Sequence, residues 1–172
     1  PIVTAGKETI LRMREGRTRV ALSGHASPTA AFVRNADWAN PEDACAAEIA
    51  RAVGPGALGA FNAEQAATRL MGDSLYANPM LLGFAWQRGW VPLQLASLMR
   101  AMELNGVAVA QNKAAFHWGR RAAHDLSSVE AVVETLRLPS EARKKSKSLA
   151  EIIERRAAFL ADYQDQAYAN RY

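Results

Sequence analysis

The amino-acid sequence predicts an α/β fold weighted heavily towards helix, with two or three parallel strands near the start of the chain. Three observations predict it. Up to about Phe61, short apolar segments alternate with stretches of helical periodicity, an order that favours parallel strands joined by crossover helices. From Asn62 onward the periodicity is helical throughout, punctuated by capping residues and glycines. The chain has 172 residues and is 49% hydrophobic, enough for one sizeable core. Two or three strands make a poor independent sheet, so further strands are expected before Pro1.

Taken in order, "PIVTAG" reads as the end of a strand, followed by a short helix from about Lys7 to Arg14 that stops at Gly16. "RTRVALSG" is the clearest strand, with Val20 and Leu22 directed to one face. The aperiodic "HASPTAAFVRNADW" is a loop. Asn40 as N-cap, Pro41 in the first turn and the acids Glu42 and Asp43 start a helix that runs to about Val53 and ends in "GPG". "ALGAF" is a short strand. Asn62 and Gln65 stand in a capping relation, with Gly72 closing that helix.

A second Asn-Pro start, Asn78 and Pro79, opens "NPMLLGFAWQRG", which Gly89 ends. Pro92 opens a helix carrying Leu95, Leu98, Met99 and Met102, stopped at Asn105-Gly106. Another helix follows from about Val107 to Ala123. Ser127 with Glu130 caps "VEAVVETLRL", which Pro139 ends. A basic linker, "ARKKSKS" at 142–148, leads to the last and longest helix, begun by Ser148, with Leu149, Ile152, Ile153, Phe159, Leu160 and Tyr163 along one side. The abrupt strand-like beginning and uncapped helical end read as an internal piece of a longer polypeptide. No internal repeat is present.

Composition narrows the function classes. Cys45 is the sole cysteine, which excludes an internal disulfide framework and a cysteine-ligated cluster within this chain. The longest apolar runs, such as "PMLLGFAW", fall far short of the roughly 20 residues needed to span a bilayer. With no signal-like opening, the expected setting is reducing and cytoplasmic. A net charge of +4 permits an anionic partner without requiring one. No glycine-rich phosphate loop, nucleophile elbow or paired catalytic carboxylates can be assembled.

The segment "NGVAVAQNKAAFHWGRRAAHD", residues 105–125, is the most informative. On a wheel of about 100° per residue, Ala108, Asn112, Ala115, Gly119 and Ala122 form one narrow stripe of mostly small residues. Such a stripe admits a neighbouring backbone. Lys113, His117, Arg120, Arg121 and His124 fall on the opposite side, where arginine forks match a phosphate or carboxylate. His117 and His124 are seven apart rather than four, so they do not converge on a metal. His25 follows the clearest strand, where α/β proteins place ligand-contacting loops.

The runs "LYANPMLLGFAWQRGWVPL" and "RAMELNGVAVAQNKAAFHWGRRAAHD" closely resemble the gamma-type domain of fused indolepyruvate ferredoxin oxidoreductases, members of the 2-oxoacid:ferredoxin oxidoreductase family. "GKETILRMREGRTRVALSGH", "FNAEQAATRLMGDS" and "LAEIIERRAAFLADYQDQAYANRY" extend the likeness over nearly the whole chain. The resemblance implies residues 1–125 as the helix-rich C-terminal portion of a Rossmann-like gamma domain and 126–172 as a helical extension. It also implies a parent that oxidatively decarboxylates aryl 2-oxo acids to acyl-CoA using thiamine diphosphate, coenzyme A and 4Fe-4S clusters, with ferredoxin as electron acceptor and a homodimeric assembly. None of those cofactors is expected to be held by this chain alone. Its partners would be the thiamine-binding and iron–sulfur domains of the parent, with no membrane and no nucleic acid. Within that scheme Asn78, Asn112 and Gly119 hold packing, whereas His25, Arg120 and Arg121 are the candidates for contact with coenzyme A. The competing expectation is a small basic helical module that binds nucleic acid or another anion through 142–148 and the Lys113–His124 stripe.

Overall fold

The computed structural model describes residues 4–24, 39, 41–136 and 148–171. The chain divides into two compact units, Pro1–Arg137 and Leu138–Tyr172.

The first unit is helix-rich around a two-stranded parallel sheet. Helix α1 (Lys7–Arg12) ends two residues earlier than expected, because Met13 turns extended at φ −72° and ψ 144°. Strand β1 (Val20–Ser23) pairs in parallel with β2 (Leu58–Phe61), Val20 opposite Leu58 and Ser23 opposite Phe61. Of the expected leading strand, residues 1–3 lie outside the described residues, while Thr4 and Ala5 form a turn. Helix α2 (Glu42–Val53) connects the strands and buries Ile49 and Val53. Pro41 takes the N-cap position, and the expected cap Asn40 lies outside the described residues.

Beyond β2 the chain is helical. Asn62 accepts a hydrogen bond from the Gln65 N–H at 2.9 Å and so caps α3 (Ala63–Met71), which Gly72 closes in the left-handed region. The expected Asn-Pro start is displaced. Asp73 accepts from the Leu75 N–H to open a 3₁₀ turn, Ser74–Tyr76, which runs directly into α4 (Ala77–Gln87). Pro79 is thus third in the helix, still within the first turn, where no N–H partner is lost.

The next helix, α5 (Leu95–Asn105), starts three residues after Pro92. The Trp86 indole donates to the Leu93 carbonyl at 2.8 Å, and Leu93 N–H bonds Val91, which holds that segment out of helix. Gly106 ends α5 in the left-handed region, and α6 (Val109–His124) follows. Helix α7 (Leu126–Thr135) is capped by Asp125 rather than Ser127. Asp125 leaves α6 in an extended conformation and accepts from both the Ser128 N–H and the Ser127 hydroxyl, while Ser127 is already helical. Pro139 lies outside the described residues.

The core joins sheet and helices. Phe61 from β2 stacks on Phe84 of α4 at 5.1 Å, and Trp90 meets Phe84 edge-on. Ala63, Ala66, Ala67, Met80 and Ala122 fill the space beside them. Val129 and Val133, one turn apart on α7, enter the same core, so α7 packs with the first unit.

The second unit contains α8 (Leu149–Tyr163), capped by the Ser148 hydroxyl accepting from Glu151 N–H, and α9 (Gln166–Ala169), capped by Asp165. At 15 residues α8 is one shorter than α6, and α9 follows it, so it is neither the last helix nor the longest. No helix among the described residues is long and apolar enough to cross a membrane.

Candidate functional site

The crossing of α4 and α6 places most of the residues singled out in the sequence. Gly83 of α4 lies against the Phe116 carbonyl of α6, and Gly119 of α6 lies against the Met80 carbonyl of α4. A Cβ at either glycine would fall inside the neighbouring main chain. Ala115, Phe116, Gly119 and Ala122 are buried there, with Met80, Gly83 and Phe84 opposite. The small-residue stripe therefore makes its close approach from Ala115 onward.

Its first two members behave differently. Ala108 precedes the helix, is exposed, and holds φ +43°. Asn112 is half-buried and donates from its side-chain amide to the Val107 carbonyl at 2.9 Å, which secures the entry to α6 instead of crossing to α4. Asn78 stands exposed in the first turn of α4.

Of the anion-contact candidates, His25 lies outside the described residues. Arg120 is half-buried and held on three sides. Its Nε donates to Gln87 Oε1 at 2.9 Å, its guanidinium carbon lies 4.9 Å from the centre of the Trp86 ring, and one Nη donates to His117 Nδ1 at 3.3 Å. Because arginine only donates, Nδ1 is the accepting atom of that contact. Arg121 is exposed and stacks on Trp118 of its own helix at 4.9 Å. Arg120 and Arg121 thus point to different flanks of α6 and do not converge on one anion.

Lys113 is committed as well. Its Nζ lies 2.6 Å from Glu103 on α5, which also receives Arg100 at 3.0 Å. The Lys113 hydrogen bond, with that from Arg100, holds the Glu103 carboxyl below its ordinary pKa. The basic side of α6 is largely occupied by partners within this chain. Gln87, Trp86 and Glu103 were not foreseen, since they lie on other helices. Gly83 carried a signal: a glycine inside the apolar helix "PMLLGFAW" costs about 1 kcal/mol in propensity and usually has a packing reason.

No three His, Cys, Asp or Glu side chains converge among the described residues in a way that would hold a metal ion. The lone Cys45 is half-buried on α2 and cannot ligate a four-cysteine cluster. Compared with protein-family models, with curated proteins and with solved structures, the chain matches none.

Proposed function

We propose that this chain is a piece of an oxidoreductase of the indolepyruvate ferredoxin type, and that its own part is structural and coenzyme-enclosing rather than catalytic. In the whole enzyme it would pack beside the thiamine-binding and iron–sulfur domains of a homodimer that passes electrons to ferredoxin. One observation carries this reading. The two segments on which the resemblance rests most heavily are the same two helices, α4 and α6, whose backbones interlock at Gly83 and Gly119. A sequence selected to bring two main chains this close suits a rigid wedge between domains.

Thiamine diphosphate and its metal ion find no acidic donor set among the described residues, and one cysteine is too few for a 4Fe-4S cluster. In this reading those groups would supply the decarboxylation and electron transfer from other domains. Coenzyme A fits better with the residues present. Arg120, pre-oriented by Gln87, Trp86 and His117, keeps its second terminal nitrogen uncommitted among the described residues and would bind a phosphate oxygen with little loss of side-chain entropy. Arg121 would contact a separate group of the coenzyme from its own flank.

The test uses the full-length gene product that contains this sequence. Indolepyruvate-dependent, coenzyme A-dependent reduction of ferredoxin is expected, and its absence would refute the reading. Replacing Arg120 and Arg121 by Ala in that enzyme should raise KM for coenzyme A by about tenfold with kcat little changed. An unchanged KM would remove the coenzyme role and leave only the packing one.

A further inference from the structure

We infer that the turn between α1 and β1 is a docking site for an acidic protein surface. Residues 7–19 contain five basic and two acidic side chains, a surplus of three positive charges in a chain whose total is +4. Arg12, Arg14, Arg17 and Arg19 fall within this segment and all are exposed. Among the described residues, Arg12, Arg14 and Arg17 have no carboxylate or aromatic partner, and Arg19 donates only to the neighbouring Thr18 carbonyl.

Several cations elsewhere among the described residues of the first unit are occupied, although Arg51 and Arg69 stand singly on α2 and α3. Arg88 lies over Phe84 and Trp90, Arg100 and Lys113 share Glu103, Arg120 holds Gln87, and Arg121 covers Trp118. Leaving unpartnered arginines together at one place concentrates positive potential there.

The turn is also rigid. The Arg14 carbonyl accepts from the N–H groups of Arg17 and Thr18, and the Thr18 hydroxyl accepts from the Arg14 N–H at 2.9 Å. Gly16 provides the positive φ that closes it, and Val20 N–H bonds the Ala57 carbonyl at 2.8 Å to tie its far end to the sheet. Glu15 folds against Gly54, where a Cβ would meet its Cγ at 2.8 Å, so one of the two acids is turned towards the α2–β2 corner. Guanidinium groups presented on a fixed backbone lose less entropy when they fork onto carboxylates.

The partner's class follows from what accompanies the arginines. Leu11 is 75% exposed beside them, and an apolar side chain among arginines is the composition of a protein–protein contact. Residues 4–24 contain no Phe, Tyr or Trp on which a base would stack, and the six-residue α1 is too short to read a groove. The surface therefore favours a carboxylate-rich protein over nucleic acid.

Binding is read with the whole chain and a fluorescein-labelled peptide of glutamate pairs interspersed with leucine, by anisotropy, with a short DNA duplex as the comparison probe. Arg12→Gln, Arg14→Gln, Arg17→Gln and Arg19→Gln combined should weaken peptide binding by about tenfold or more. Removing the same amount of charge from the linker, through Arg143→Gln, Lys144→Gln, Lys145→Gln and Lys147→Gln, should change it by about twofold or less. The four Arg→Lys replacements keep fold and charge and should give an intermediate loss, because only the fork is gone. No peptide binding, an equal or larger loss in the linker variant, or no loss in the turn variant would each overturn the proposal. Tighter binding of the duplex than of the peptide would overturn it in favour of a nucleic-acid partner.

Discussion

Helices α6 and α8 are nearly equal in length, and both carry apolar side chains at helical spacing, yet they are held in opposite ways. Helix α6 buries Ala115, Phe116, Gly119 and Ala122 against another backbone. Helix α8 buries no side chain: Leu149, Phe159 and Tyr163 are each at least two-thirds exposed, although the last two rings stack on one another. Large apolar residues measure what a helix can gain from burial. Small ones determine how close a neighbour can come, and here closeness is what makes a core. The contrast can be broken or sharpened by substitution.

The largest effect is expected at the crossing. Gly119→Ala or Gly83→Ala puts a methyl group into a main-chain carbonyl that no rotamer can clear, and should cost about 3 kcal/mol or more in urea unfolding. Ala158→Leu, at an exposed position of α8, should change the same measurement by about 0.5 kcal/mol or less. A tolerated Gly119→Ala would mean the helices are not locked together.

Next comes a pair of matched truncations. Phe116→Ala removes a fully buried ring and should cost about 3–5 kcal/mol, whereas Phe159→Ala should leave stability within about 0.5 kcal/mol of the parent. Similar losses at the two sites would show that α8 is covered in solution.

Smaller again is the cap at Asn62, where Asn62→Ala should lose about 1 kcal/mol by freeing the Gln65 N–H. Ala108→Gly should move the other way, stabilising by about 0.5 kcal/mol. The left-handed conformation at φ +43° costs an L-residue about 1–2 kcal/mol, and part of the relief is offset by the freer unfolded chain.

The smallest effect concerns pH. The Ser127 hydroxyl and the Ser128 N–H hold the Asp125 carboxyl below its ordinary value of 3.8. A depressed folded pKa gives stability that is present above the unfolded value and is lost as pH falls through the folded one. Asp125→Asn should therefore lower the melting temperature slightly at neutral pH and converge with the parent once the pH has fallen through the lowered carboxyl pKa. An offset that persists in acid would assign the effect to the cap hydrogen bonds alone.

How far the fold was legible depended on how local each signal was. Asn62 with Gln65, Gly72, Gly106 and Ser148 are caps whose chemistry is complete within four residues, and each sits where spacing placed it. The boundaries that moved involve competition. Asp125 displaced Ser127 because an extended residue reaches the free N–H groups first, and Trp86 captured the Leu93 carbonyl from seven residues away, delaying α5. The small stripe of α6 was readable on a wheel, but its meeting with Gly83 on α4 was not, because no one-helix projection shows which backbone will approach. For the same reason Arg120 and Lys113 read as a free basic side, when Gln87 and Glu103 on other helices already hold them.

The reciprocal placement of Gly83 and Gly119 also has a genetic consequence. The obstructing atoms are the carbonyls of Phe116 and Met80, and main-chain atoms are the same in all twenty residues. No second substitution at position 116 or 80 could restore room after a glycine is lost. A suppressor of Gly119→Ala would have to come from elsewhere, by shifting a whole helix, and a search for one should find reversion far more often than compensation.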